Sequence, residues 1–187
     1  MTLAPELEEL TEAHDGILID IAYATSNNFT GEPVYKAGKC FLHKDAHKCL
    51  LEAVRLAAQL ELRIKVFDAY RPTEAQEKLW AHTPDANFLA PPERGSPHSR
   101  GVAVDLTLID KDGNELDMGT PFDEFDILSH HGNTEVSVEA QRNRHLLMGI
   151  MTTAGWDFYR NEWWHYQLFK SRDYALFSDA EAGTEMM

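Results

Sequence analysis

Apolar side chains recur every three or four residues between Ala46 and Leu60. Ala46, Cys49, Leu50, Ala53, Val54, Ala57 and Leu60 share one face, and this spacing predicts a helix over 45–60 with a polar opposite face. Two other stretches alternate instead. In LRIKVFDAY, Leu62, Ile64 and Val66 lie on one face of a half-buried strand ending near Asp68. Val102, Val104, Leu106 and Leu108 alternate with Ala103, Asp105 and Thr107, which places Asp105 opposite the valine face of a second strand. Residues 17–24 (ILIDIAYA) also alternate as a strand, and the polar NNFTGEP stretch after them reads as a loop. Pro72 stops the strand that ends at Asp68, and Thr73 with Gln76 has the pattern of a capping box opening a helix to about Trp80. From His82, HTPDANFLAPPERGSP is a proline-rich loop running into His98, and KDGN is a turn. Ser137 caps a helix reaching Ala154, Gly155 stops it, and a last strand covers about Trp163 to Phe169. This order predicts an α+β domain, a small and largely antiparallel sheet covered by helices.

The length, 187 residues, suits one domain over 1–187, with a core over about 17–169 and an acidic tail at 178–187. The formal charge of −14 leaves no electrostatic footprint for nucleic acid or anionic lipid and favours small or cationic partners. Cys40 and Cys49 have no metal-ligand spacing; Cys49, on the apolar helix face, reads as a buried reduced thiol, with a Cys40–Cys49 disulfide the lesser reading. The opening MTLAPELEELTEAHDG has neither the basic nor the apolar region of a secretory signal. No apolar run approaches the roughly 20 residues that span a bilayer. These features predict a cytoplasmic protein without a membrane partner, and leave a homo-oligomer open.

Candidate chemistry concentrates in SPHSRGVAVDL, from Ser96, and EWWHY, from Glu162. His98, Asp105 and His165 make a three-ligand zinc set, and three protein ligands leave the fourth position to water, as at a catalytic site. Glu162 is then a spare carboxylate able to act as general base. Glu162 and His165 have opposite strand parity, so they share a site only if Glu162 lies on the turn before the strand or across a bulge. Arg71, in DAYRP, can pair with Asp68 at the strand end, receive the negative charge developing on a cleaved carbonyl, or do both with Asp68 orienting it. Trp163 and Trp164 read as core aromatics, with substrate stacking the alternative. The His130–His131 pair lies in a polar loop and reads as surface rather than ligand; His14, His43, His47, His82 and His145 show no partner pattern.

Together these segments resemble the zinc D-alanyl-D-alanine dipeptidases, the vancomycin-resistance type and its chromosomal relatives. The pattern S-x-H-x-x-G-x-A-x-D is matched by Ser96, His98, Gly101, Ala103 and Asp105. EWWHY, YATSNNFTG, DAYRP, DLTL, MGTPFDEFD and QRNRHLLMGIM match as well, so the likeness runs from about residue 17 to 169. The ligand motif alone is shared with zinc carboxypeptidases and cell-wall endopeptidases; YATSNNFTG and EWWHY narrow it. The resemblance implies one zinc per chain on His98, Asp105 and His165, Glu162 as general base before the regular strand, and Arg71 stabilising the tetrahedral intermediate. It further implies that Asp123 engages the substrate ammonium and that Ser96 and Tyr23 line the pocket, where Asp68 is grouped with them. The implied reaction is hydrolysis of D-Ala-D-Ala, a small dipeptide, to two D-alanines. The acidic tail from Ser178 matches nothing in the pattern. The rival readings are a D,D-carboxypeptidase or cell-wall endopeptidase of the same superfamily and a non-catalytic zinc-stabilised binding module; Glu162 and Arg71 argue against the last, because a structural zinc needs neither.

Overall fold

A computed structural model describes residues 6–187. Residues 1–5 lie outside it, and with them the first part of the segment read above as no secretory signal. The elements are β1 (Leu7–Glu9), α1 (Glu12–Asp15), β2 (Leu18–Ile19), β3 (Phe41–His43), α2 (Lys44–Ala58), β4 (Arg63–Asp68), α3 (Thr73–His82), β5 (Ala103–Ile109), α4 (Val138–Thr153), β6 (Trp156–Phe158), β7 (His165–Leu168) and α5 (Asp179–Ala182). A five-stranded sheet runs β2-β4-β5-β7-β6, and β1 pairs with β3 in a two-stranded ribbon. Only the β2–β4 pair is parallel. The architecture is the α+β arrangement that the pattern predicts, and no described helix is long and apolar enough to cross a membrane.

The central strand, β5, is buried along its whole length. Val104, Leu106 and Leu108 belong to the apolar core, as do Ala46, Leu50, Ala53 and Ala57 of α2 and Leu147, Ile150 and Met151 of α4. The other face of β5 carries Asp105, and register decides what stands beside it. Asp105 is opposite His165 on β7 and opposite Asp68 on β4. Directly opposed residues of an antiparallel pair project to the same face. The Asp68 pairing exists only because the register shifts between Val66 and Asp68. Val66 faces Leu106, so an unbroken ladder would carry Asp68 to the core face; the extra residue reverses its side.

Several boundaries differ from expectation. The strand over 17–24 closes after Ile19, and a 3-10 turn at Ala22–Ala24 turns Tyr23 into the interior. Helix α2 ends at Ala58, leaving Leu60 half exposed, and Cys49 is half-buried while Cys40 is the buried cysteine. Both thiols are free, so the disulfide reading falls. The expected Thr73–Gln76 capping box is absent: Pro72 occupies the cap, Thr73 Oγ1 turns to Glu74, and Gln76 is buried. The last strand begins at His165, not Trp163. Ser137 caps α4 by accepting from the Ala140 amide, as expected. Strands β1, β3 and β6 span three residues each, too few for periodicity to register.

The acidic tail is integral to the fold. Ser178 and Glu181 form a capping box around α5, the Lys36 amide donates to the Met186 carbonyl, and Met186 is buried. Among the histidines without a sequence partner, His47 lies 2.6 Å from Glu8 and 2.9 Å from Asp15, tying the N-terminal segment to α2.

His131 packs edge-on against Phe158 and Tyr166, and its Nε2 has no partner among the described residues. Burial, followed by the charges of Arg144 and His145, pushes its pKa down to about 4. The unfolded chain takes up this proton near pH ~6.5, so the folded state loses stability as pH falls from there toward 4. Between pH ~7 and ~5 the urea unfolding free energy should fall about 1–2 kcal/mol further in the wild type than in His131→Phe. Equal declines would show that His131 does not carry this acid sensitivity.

Candidate metal and catalytic site

His98 sits in a 3-10 turn, His98–Arg100, closed by Gly101 at φ 68°. A Cβ at Gly101 would stand 3.1 Å from the His43 backbone nitrogen and 2.5 Å from a Leu7 methyl, so only glycine fits this contact between the turn and the β1–β3 ribbon. The turn carries His98 toward the polar face of β5. There His98 Nε2, Asp105 Oδ1 and His165 Nδ1 form a nearly equilateral triangle, with sides of 3.1 Å between the imidazoles, 3.3 Å from His98 to Asp105 and 3.1 Å from His165 to Asp105. All three side chains are buried.

The outer hydrogen bonds decide which lone pairs point inward. His98 Nδ1 lies 2.7 Å from the Ala69 carbonyl, which can only accept, so the proton belongs on Nδ1. His165 Nε2 faces Gln167 Oε1 at 3.1 Å, which places its proton there. Two imidazole lone pairs and a carboxylate oxygen therefore converge, an arrangement that repels itself unless a cation lies among them. Tetrahedral zinc at about 2.0–2.1 Å from its ligands separates them by about 3.3–3.4 Å, and the observed sides nearly match. Two imidazoles, held by the Ala69 carbonyl and Gln167, and one carboxylate fit a zinc ion. This is the one group of described histidine, cysteine and acidic residues close enough to hold a metal.

Glu162 precedes β7 on a turn, with its amide bonded to the Tyr159 carbonyl, so it escapes strand parity. Its Oε2 lies 3.8 Å from His165 Nδ1. Burial, with Asp105 and Asp123 adding to it, pushes its pKa well above the usual carboxylate range against the opposing pull of Arg71. Arg71 is buried and held at both ends: Nε donates to Asp68 Oδ2 at 2.8 Å, and Nη1 donates to Gln76 Oε1 at 2.8 Å. Nη2 reaches within 3.5 Å of Asp105 Oδ2, and the guanidinium lies 5.1 Å from the centre of the Tyr23 ring. Asp123 takes a left-handed φ of 63°, unusual for a residue with a side chain. Its Oδ1 accepts from the Tyr23 hydroxyl at 3.1 Å, while its buried Oδ2 has no partner among the described residues.

One cavity collects Tyr23, Arg71, Ser96, Asp123 and Glu162 around the triangle. Ser96 Oγ accepts from the His98 amide at 3.2 Å. Asp68 does not line this cavity, which corrects its grouping with the pocket residues: it lies behind Arg71, fully buried, and accepts from the Tyr35 hydroxyl at 2.9 Å. His130 and His131 stand apart from the triangle. Trp163 and Trp164 are both buried, and Trp164 also lines the cavity. Sequence reasoning missed Gln76, Gln167, Tyr35 and the Ala69 carbonyl. Gln76 carried a signal read otherwise, since a polar residue three places into a helix is also what a cap requires.

Comparison with known proteins identifies a family. The profile of the D-ala-D-ala dipeptidase family, peptidase M15, matches residues 4–179. The chain is 41% identical over 179 residues to the D-alanyl-D-alanine dipeptidase of Escherichia coli K12, covering 96% of this chain and 93% of that protein. It is 36% identical over 180 residues to the D-alanyl-D-alanine dipeptidase of Enterococcus faecium, covering 85% and 89%. A third, from Enterococcus faecalis, is 37% identical over 180 residues with the same coverage.

Gln76 joins Arg71 to the pocket loop, because its Nε2 donates to the Ala90 carbonyl at 2.8 Å. Gln76→Ala leaves both groups without this partner and should cost about 2–6 kcal/mol in urea unfolding, at about 1–3 kcal/mol for each unsatisfied buried group. A loss below about 0.5 kcal/mol, the range of ordinary surface substitutions, would show that water replaces the amide.

Proposed function

The chain belongs to the D-Ala-D-Ala dipeptidase family of M15 peptidases, and on that premise we propose that it is a metallopeptidase hydrolysing D-Ala-D-Ala to two D-alanines with one zinc on His98, Asp105 and His165. The observation that carries the reading is the convergence of His98 Nε2, Asp105 Oδ1 and His165 Nδ1, with Glu162 Oε2 3.8 Å from His165 Nδ1. Zinc, when bound, supplies a Lewis acid and lowers the pKa of water from about 15.7 to about 7.

The protein's own groups do the rest. Glu162 takes the proton of the attacking water and passes it to the leaving amine, and its raised proton affinity suits it to hold that proton between the two transfers. Arg71, fixed by Asp68 and Gln76, donates to the oxygen on which negative charge develops. Asp123 accepts the free ammonium on Oδ2, whose hydrogen-bonding capacity is otherwise unused. Its neighbour Tyr23 keeps its phenol protonated, because burial and then Asp123 push that pKa well up. Ser96 borders the substrate and steadies the His98 turn. A longer N-terminal chain would remove the ammonium and leave Asp123 buried and unpaired, which restricts the enzyme to free dipeptides. A cytoplasmic location belongs to the same proposal.

Purified protein should release D-alanine from D-Ala-D-Ala in a chelator-sensitive reaction while leaving N-acetyl-D-Ala-D-Ala and L-Ala-L-Ala intact. Cleavage of the acetylated compound would favour the carboxypeptidase reading and remove the ammonium role from Asp123. Glu162→Ala should retain zinc and lose nearly all turnover. Arg71→Ala should lower the rate about a hundred- to thousand-fold. His165→Ala should bind zinc far more weakly in equilibrium dialysis, and full occupancy in that variant would exclude His165 as a ligand.

A further inference from the structure

Beside the catalytic cavity runs an open groove bordered by Arg94, Arg100, Arg172, Tyr159, Gln167 and Ser171. The two are continuous: Arg94, Pro97, Tyr159 and Gln167 line both. In a chain of net charge −14, three arginines around one groove call for an explanation. None of the three lies within 4.0 Å of a carboxylate oxygen among the described residues, a condition they share with Arg63, Arg142, Arg144 and Arg160; what sets them apart is that they stand together around one groove. Arg100 donates to the Tyr174 and Arg94 carbonyls, which fixes its guanidinium without neutralising it. Burial and the nearby Arg172 charge both press on its protonated form, as expected where like charges gather.

The groove also has a defined position along the substrate. Asp123, bonded to Tyr23, borders the catalytic cavity and not the groove, whereas Arg100 and Arg172 border the groove and not the cavity. Tyr159 and Gln167 line both and mark where cavity and groove meet, and Gln167 is the partner of His165 Nε2. A dipeptide with its ammonium on Asp123 directs its second residue away from that end, toward Tyr159 and the arginines. The assignment therefore rests on the dipeptidase reading and extends it.

We propose that the Arg94–Arg100–Arg172 groove is a subsite for an acidic side chain on the substrate's second residue, so that the enzyme accepts D-Ala-D-X dipeptides in which X is a dicarboxylic D-amino acid. Such a substrate carries an extra negative charge, which the protein as a whole repels. Three uncompensated guanidiniums at the mouth reverse that field locally and can bind the added carboxylate bidentately.

The test compares kcat/KM for D-Ala-D-Glu, its neutral isostere D-Ala-D-Gln, and D-Ala-D-Ala, in the wild-type zinc enzyme and in Arg172→Gln. Arg172 borders only the outer groove, so its substitution should leave D-Ala-D-Ala turnover within about two-fold of wild type. The wild type should prefer D-Ala-D-Glu to D-Ala-D-Gln by about ten-fold or more at low salt, and the preference should shrink as salt rises. It should fall by several-fold in Arg172→Gln and further in Arg94→Gln. Equal use of the two isosteres by a wild-type enzyme active on D-Ala-D-Ala would overturn the subsite and leave the dipeptidase reading intact. An equal loss on all three substrates in Arg172→Gln would also overturn it, because that is the mark of general steering. Inactivity of the zinc-loaded wild type on D-Ala-D-Ala would overturn the dipeptidase reading, and the subsite with it.

Discussion

Four carboxylates gathered around a single buried guanidinium set the terms for the site. Asp68, Asp105 and Glu162 are buried, Asp123 presents a buried unpartnered oxygen, and Arg71 is the one buried cation among them. Burying unpaired charge is costly, so this negative excess is stable only if cations or protons enter. One guanidinium offsets one carboxylate. A dication on the His98–Asp105–His165 triangle would offset two more. The charge still outstanding is that of one ammonium group, the charge that the proposed dipeptide would bring to Asp123. Metal binding, substrate binding and the raised proton affinity of Glu162 are in this sense consequences of one electrostatic imbalance.

The imbalance is built by strand register. Asp68, Asp105 and His165 stand in one row across β4, β5 and β7 because each pair is directly opposed. The irregularity between Val66 and Asp68 turns Asp68 out of the apolar core and behind Arg71. One extra residue in β4 thereby lets the same strand supply both a core face and the support of Arg71. Gln76 completes that support from α3 and ties it to the loop that walls the pocket. Arg71 is consequently fixed before any substrate arrives, the condition under which a donor to a developing oxyanion is most effective.

This division explains what could be read from the sequence. Helices α2 and α4 and strands β4 and β5 were legible because each repeats its pattern over several residues. The triad able to hold a metal was legible because zinc chemistry restricts the residue types, even though His98 and Asp105 are seven positions apart. The bulge was not, since an inserted residue leaves the local composition unchanged. Gln76 was misread because a helix cap and a buried amide bridge ask for the same residue at the same place. The tail from Ser178 matched nothing in the sequence pattern, yet its capping box and the buried Met186 show that a few well-placed groups can dock a segment with little apolar content.

The polarity of the site follows from where its charges were left uncompensated. At one end Asp123 holds a free acceptor in a strained backbone conformation; at the other, arginines line the wall without acidic partners. A dipeptide with a free ammonium and an acidic second side chain carries the complementary charges, and the reacting bond lies between them. Strain at Asp123 belongs with this picture, because a residue held at a left-handed φ keeps its carboxylate aimed without the freedom to turn toward solvent. On the proposed reading, selectivity for a free ammonium and for an acidic second residue share a cause: each answers a charge that the fold leaves open.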